Sequence, residues 1–263
     1  REYGAEFLDK VSTWIVDERK IHACIIKGFD NDLHFGGKGN RRVRHYLGLD
    51  LGLTSDGFAV AVCHHEKKLA EREPTLEAYR ELIKTEDVYV FDYVGYLLPE
   101  EGEAIDVDAV CMYIEEVNKK FYIHRAAHDQ WSAEMFKQWL SKKSLYKRTS
   151  AINVNSQFNS QSAKLFKNHM NKGQLVFPDD PGLISEILAL KEKLTGAGIK
   201  VENPNGHDDR FSAMLKALWL CFSDPRRDEV VETVSGAAAS RYNTNFIRTM
   251  YKNRDPRRDQ VIT

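Results

Sequence analysis

The sequence predicts an α/β fold organised around one mixed sheet, and three observations carry that prediction. Two apolar stretches, at about 45–52 and 57–64, flank the turn Thr54-Ser55-Asp56-Gly57, the pattern of an antiparallel hairpin. A third strand follows at about 87–97. Strands and helices then alternate: a helix over 106–121, a strand over 122–128, a helix over 132–140 and a strand over 150–154. A hairpin followed by this alternation implies a sheet that is antiparallel on one side and parallel on the other.

Each element has its own justification. In His45-Tyr46-Leu47-Gly48-Leu49-Asp50-Leu51-Gly52, the leucines at 47, 49 and 51 recur every second residue and share one strand face. Val107, Val110, Cys111, Ile114 and Val117 recur at helical spacing. Further helices are expected at about 159–172 and 182–194, with short extra strands at 175–177 and 199–202. A last core helix, at about 207–222, carries the stripe Phe211, Leu215, Leu218 and Phe222. The charged stretch 66–86 reads as an excursion between strands. Ahead of the core, Phe7, Leu8, Val11, Trp14 and Ile15 mark a helical or mixed segment, 21–26 a short strand, and the Gly-, Asn- and Asp-rich 28–40 a linker. The expected plan is a lead-in over 1–44, a core domain over 45–222 and a polar tail over 223–263, whose residues 251–258 are basic and proline-broken.

Composition narrows the functional class. The 263 residues are 42% hydrophobic and 29% charged, enough for one sizeable core. Lys+Arg 38 against Asp+Glu 39 leaves a net charge of −1, so no global basic field attracts a polyanion, and any grip on one must come from local patches or another chain. Cys24, Cys63, Cys111 and Cys221 lack CxxC spacing and read as reduced, buried small hydrophobes. No apolar run approaches membrane-spanning length, and no signal-peptide pattern opens the chain. The chain starts at Arg1 and is expected to be a piece of something longer.

The chemistry centres on acids at the ends of core elements. Asp50 stands inside an apolar strand with glycines on either side. A buried carboxylate costs several kcal/mol unless a positive charge compensates it, and a metal ion is the usual compensator. Asp129, in His128-Asp129-Gln130-Trp131-Ser132, ends a second apolar stretch; alone it reads as a turn or capping residue. Asp208 and Asp209 open the last helix, where acids also suit the helix dipole. At about 100° per residue, Asp208 falls at the edge of the apolar stripe and Asp209 to its side. If the first strand is central, a parallel neighbour ends beside it and the last helix crosses both, acids from all three converge.

Weaker signals surround this one. Gly36-Gly37-Lys38-Gly39 misses the GxxxxGK[ST] spacing of a phosphate loop. Among nine histidines, His207 adjoins Asp208 and is the one suited to proton transfer or to orienting a ligand, whereas His124 and His128 read as structural. Arg41-Arg42, Arg44, Lys142-Lys143 and Lys147-Arg148 are solvated faces unless they flank the acids, where they become phosphate contacts. Lys164 and Lys167, close to Asn153-Val154-Asn155-Ser156-Gln157, suit backbone contacts without base reading.

Taken together, these residues resemble the nuclease domain of the large terminase subunit, the DNA-packaging motor of tailed phages and herpesviruses. The resemblance rests on Leu47-Gly48-Leu49-Asp50-Leu51-Gly52, on His128-Asp129-Gln130-Trp131, and above all on Gly206-His207-Asp208-Asp209-Arg210-Phe211-Ser212-Ala213-Met214-Leu215-Lys216-Ala217. It covers roughly 45–222, and Arg1-Glu2-Tyr3-Gly4-Ala5-Glu6-Phe7 looks like the segment that joins the packaging ATPase to the nuclease. The resemblance implies a ribonuclease H-like fold, with a mixed five-stranded sheet flanked by helices. It implies endonucleolytic cleavage of double-stranded concatemeric DNA during viral genome packaging. It also implies two divalent ions, Mg2+ or Mn2+, held by Asp50, Asp129 and Asp208 or Asp209. Implied partners are double-stranded DNA, the ATPase domain of the same polypeptide, the portal protein and the small terminase subunit, in the host cytoplasm, or the nucleus for a herpesvirus. The domain by itself is expected to be monomeric. Ser212 stands where members often carry another acid, which leaves both Asp208 and Asp209 as ligand candidates.

On this resemblance, two ions about 3.5–4 Å apart clamp the scissile phosphate, with Asp50 bridging them, Asp129 holding one and the Asp208/Asp209 pair the other. Two other functions remain open. Asp50-Leu51-Gly52-Leu53-Thr54 also looks like the first phosphate loop of actin-like ATPases and sugar kinases, but no duplicated domain or second Asp-Gly loop accompanies it. A DNA-docking module that keeps the fold without chemistry is the third reading, and intact acids at all three positions oppose it.

Overall fold

A computed structural model describes residues 11–26, 31, 43–51, 57–69, 85–99, 105–130, 149–195, 198–204 and 206–227, all within one compact unit. In chain order the elements are β1 (Val11–Thr13), α1 (Glu18–Ala23), β2 (His45–Leu51), β3 (Phe58–Leu69), β4 (Thr85–Leu97), α2 (Val107–Lys120), β5 (Ile123–Asp129), β6 (Thr149–Ile152), α3 (Ser156–Asn171), β7 (Leu175–Val176), α4 (Pro181–Ala189), β8 (Lys191–Thr195), β9 (Gly198–Glu202) and α5 (Asp209–Ser223). The main sheet has the order β6-β5-β2-β3-β4-β7. β2, β3 and β4 pair antiparallel, whereas β5 runs parallel to β2 and β6 parallel to β5. This is the expected mixed five-stranded sheet, with the short β7 added in parallel along β4.

The two-residue period of β2 sorts its side chains between two cores. Leu47 and Leu49 join Val60 and Val62 of β3 against Val110, Ile114 and Val117 of α2. The α2 helix starts where Asp106 accepts a hydrogen bond from the Asp108 amide, and Lys119 and Lys120 complement its C-terminal dipole. On the opposite face Tyr46, Ala59, Ala61 and Cys63 pack with Phe166 and Met170 of α3 and with Phe211, Met214 and Leu218 of α5. All four cysteines are buried and unbridged, as expected. No helix among the described residues is long and apolar enough to cross a membrane.

Four elements differ from expectation. Val11–Thr13, within the segment expected as helical or mixed, is a strand, because β8 offers it an antiparallel partner. Residues 18–23 are a helix rather than part of a strand, with Asp17 capping it by accepting from the Arg19 amide. Residues 11–26, assigned above to the lead-in, are therefore built into the core: Trp14 is 2% exposed and sits 4.9 Å from the Phe211 ring and 5.9 Å from Phe166. The helix expected over 182–194 stops at Ala189, and Lys191–Thr195 forms a hairpin with Gly198–Glu202. Lys, Glu and Leu favour helix in isolation, but pairing with β1 on one side and β9 on the other overrides that propensity. Gly198, at φ 124°, takes a backbone conformation that side chains rarely tolerate. Finally, β3 and β4 extend into the stretch expected as an excursion, pairing out to Leu69 and Thr85. At the far end Asp224 is buried and accepts from the Tyr46 hydroxyl at 3.0 Å, so packing reaches past the expected end of the core at 222. The helix expected over 132–140, the Gly36–Gly39 loop, Arg41-Arg42, Lys142-Lys143, Lys147-Arg148 and residues 228–263 of the expected tail lie outside the described residues.

Candidate metal centre

Register alone brings Asp50 and Asp129 together. Gly48 of β2 pairs with Ala127 of β5 in parallel, so two residues further on Asp50 and Asp129 stand side by side at the C-terminal ends of adjacent strands. The ends of parallel strands are where α/β sheets bind ligands. Helix α5 crosses this sheet face antiparallel to β2. Gly48 permits the crossing, because a methyl there runs into the Ala213 carbonyl oxygen and lies 2.7 Å from the Ala217 nitrogen. The glycine beside Asp50 thus admits a helix backbone.

The crossing carries Asp209 and Lys216 to the two strand-end acids. Lys216, on an otherwise apolar stretch of α5, is fully buried; its Nζ donates to Asp50 Oδ1 and lies 3.1 Å from Asp129 Oδ1 and 3.2 Å from Ser212 Oγ. Burial holds the Asp50 carboxyl above the usual carboxylate range; Lys216 opposes this, and the charges of Asp129 and Asp209 add to it. Asp209 accepts from the Tyr96 hydroxyl of β4 at 2.8 Å, and the Arg210 guanidinium stacks 4.7 Å above the Tyr96 ring. Side chains of Asp50, Asp129 and Asp209 keep 15%, 24% and 12% of their surface exposed, so the cluster faces solvent along one edge.

Asp208 is held by different partners. It occupies the N-cap position of α5 without capping it, and its Oδ2 accepts from the Asn203 amide at 3.3 Å. Its carboxyl is raised chiefly by burial, with the Asn203 amide opposing and Asp209 and Glu202 adding. The helical projection that turned Asp208 inward is therefore reversed. Its stripe included Phe222, which is 41% exposed, while α5 also buries Ala213, Met214, Lys216 and Ala217.

Several expected contacts fall elsewhere. His207 Nδ1 is 3.7 Å from Asp209 Oδ2, beside the cluster but beyond hydrogen-bond range. His128 pairs with the Asp129 carbonyl at 2.7 Å. Lys167 donates to the Trp14 carbonyl at 2.6 Å and so braces the fold; Lys164 is exposed. Arg44 lies 3.0 Å from His124. Sequence reasoning missed Lys216, Tyr96 and Glu186. Glu186 of α4 accepts from the Phe211 amide at 2.8 Å and sits 3.9 Å from Arg210. The available signal was a lone lysine inside Ala213-Met214-Leu215-Lys216-Ala217-Leu218, about two turns from Asp209.

A divalent cation suits the donor set: three carboxylates on rigid elements, open on one side, against a single buried ammonium. A second cluster gathers His45, His64 and Asp92 towards the other end of β2. There His64 meets Asp92 Oδ2 at 2.5 Å through Nδ1 and Glu66 Oε1 at 3.1 Å through Nε2. Burial disfavours charge on this ring, but the two acids outweigh it and hold its pKa well above the usual histidine value. Both ring nitrogens of His64 are thus directed at carboxylates within hydrogen-bond distance.

No protein-family model matches the sequence, and no curated protein matches it at a significant level. The fold does match solved structures. It is similar to the large terminase of bacteriophage HK97, with 15% identity and a TM-score of 0.58, over 80% of this chain and 44% of that one. It is also similar to the large terminase nuclease of thermophilic phage G20c, with 13% identity and a TM-score of 0.55, over 76% of this chain and 95% of the nuclease. The same G20c nuclease with bound magnesium matches at 14% identity and a TM-score of 0.54, over 75% and 93%. The chain thus spans under half the length of the HK97 protein and nearly the whole of the G20c nuclease. At these identities the likeness establishes the fold, the ribonuclease H-like fold of terminase nuclease domains.

Proposed function

We propose that this chain is a metal-dependent endonuclease that cuts double-stranded DNA, serving as the nuclease part of a viral genome-packaging motor. One observation carries the proposal: Asp50, Asp129 and Asp209 come from two adjacent parallel strands and a crossing helix, and they meet at one solvent-facing edge. Lys216 pairs with Asp50 and Asp129, yet three acids on three core elements outnumber that one ammonium. The fold shared with the terminase nucleases, one of them solved with bound magnesium, supports the same reading.

In this proposal Asp50, Asp129 and Asp209 hold Mg2+ or Mn2+, and Asp208 supports Asp209 from the preceding position. Asp50, whose carboxyl feels the charges of both Asp129 and Asp209, would be the ligand common to any ion held there. A bound divalent ion supplies Lewis acidity, lowering the pKa of water and stabilising charge at the scissile phosphate. The protein contributes orientation. Tyr96 fixes the Asp209 carboxylate through its hydroxyl, and the β2–β5 register fixes Asp50 against Asp129. Near-neutral net charge fits weak DNA binding by the chain alone, with grip supplied by a packaging ATPase domain, a portal ring and a small terminase subunit in the infected host cell. Cutting should depend little on base sequence, since phosphate contacts position without specifying.

The test is plasmid nicking by Asp50→Asn. The amide oxygen still accepts from Lys216, so cooperative melting should persist. Nicking should fall by at least about 10²-fold, the loss typical of removing one group that stabilises a transition state. Undiminished metal-dependent nicking by the folded variant refutes the assignment.

A further inference from the structure

Lys216 stands inside the acid cluster, yet the chemistry proposed above gives it no part. Its side chain is completely buried, and it is flanked on α5 by the buried Met214, Leu215, Ala217 and Leu218. An ammonium has three N–H donors. Here Asp50 Oδ1 and Ser212 Oγ, at 3.2 Å, accept two of them, and Asp129 Oδ1 stands at ion-pair distance, 3.1 Å, from the same nitrogen. This tripod of oxygens is the donor set a small cation would use. It also locks the charged head between the two strand-end acids.

We propose that Lys216 is a built-in cation filling the position between Asp50 and Asp129, so that the site takes one divalent ion, between Asp50 and Asp209, rather than two. The inference rests on the metal-dependent nuclease reading and revises the ion count expected from the resemblance. Charge supports it. Three carboxylates and one ammonium leave two negative charges, which a single divalent ion balances. A second ion would have to displace an ammonium that has no wet surface to reach, and breaking a buried ion pair is strongly unfavourable. Chemistry divides the labour accordingly. An ammonium neutralises repulsion and holds Asp50 and Asp129 at fixed spacing, but it cannot polarise a water as a Lewis acid does. Lys216 is thus a positioning residue, and water activation belongs to the Asp50–Asp209 side.

Titration of the whole protein with Mn2+, followed by calorimetry and electron paramagnetic resonance, tests this without reference to activity. One Mn2+ per chain with the spectrum of an isolated ion is expected. Lys216→Met, if folded by circular dichroism, should admit a second Mn2+ and show exchange coupling between the pair, whereas Lys216→Arg should keep one. Two coupled ions in the unmodified protein, or a folded Lys216→Met that still binds one, overturns the inference and leaves the nuclease reading standing. Failure of the unmodified protein to bind Mn2+, together with no metal-dependent nicking, removes the nuclease reading and the inference with it. Should Lys216→Met not fold, the count in the unmodified protein and in Lys216→Arg still decides.

Discussion

Between about pH 4.5 and pH 8, Glu186 holds a proton in the folded protein that it releases when the chain unfolds, because its carboxyl is pushed from the model-peptide value of 4.5 up to about 8. Burial is the main cause; the Phe211 amide and Arg210 oppose it, and Asp209 and Asp208 reinforce it. The folded state binds the extra proton throughout this window, so stability falls as pH rises, at up to about 1.4 kcal/mol per pH unit. Glu186→Gln keeps an oxygen for the Phe211 amide and removes the titration. Its stability from pH 5 to 8 should be flatter than that of the unmodified protein, and at pH 8 it should be the more stable of the two by a few kcal/mol. Parallel slopes in denaturant melts across that range would contradict this. Asp50 and Asp129 were legible in the sequence because their signal is local: a carboxylate among alternating leucines, and another closing an apolar strand. The choice between Asp208 and Asp209 was not, since it depends on where α5 begins and how widely it is buried. Lys216 was silent because a lysine declares a role only once its burial is known.

At the scale of elements, the site depends on one close approach, that of β2 to α5 at Gly48. Gly48→Ala places a methyl against the backbone of Ala213 and Ala217, atoms that cannot swing aside as a flexible side chain could. The expected cost is about 1–3 kcal/mol or more from overpacking. Metal-dependent nicking should fall with it, because a displaced α5 carries Asp209 and Lys216 away from Asp50. Unchanged midpoint and nicking would show that the helix does not lie where the crossing places it. Strong periodicity made β2, β3, β4, α2, β5 and α5 readable. What escaped were segments whose state is decided by partners. Lys191–Thr195 is a strand only because β1 and β9 lie beside it, and 11–26 joins the core only because Trp14 finds Phe166 and Phe211.

The whole molecule follows from a central strand with two different faces. One face of β2 packs its leucines against α2 in a hydrophobic cluster, while the other trades a leucine for Asp50 and a side chain for Gly48. That asymmetry marks one face for packing and the other for chemistry; the ribonuclease H-like fold itself is what the resemblance of the three acid-bearing motifs implies. Trp14, Ile15, Ile21, Cys24 and Ile25 pack in the core although a stretch of linker composition over 28–40 separates them from it in the sequence. The most direct test of the central claim, that acids from β2, β5 and α5 jointly hold a catalytic cation, is an anomalous difference map from crystals soaked in Mn2+. The account predicts density at the solvent-facing edge within bonding distance of Asp50 and Asp209. Manganese bound elsewhere, or a bare acid cluster at saturating Mn2+, would contradict it.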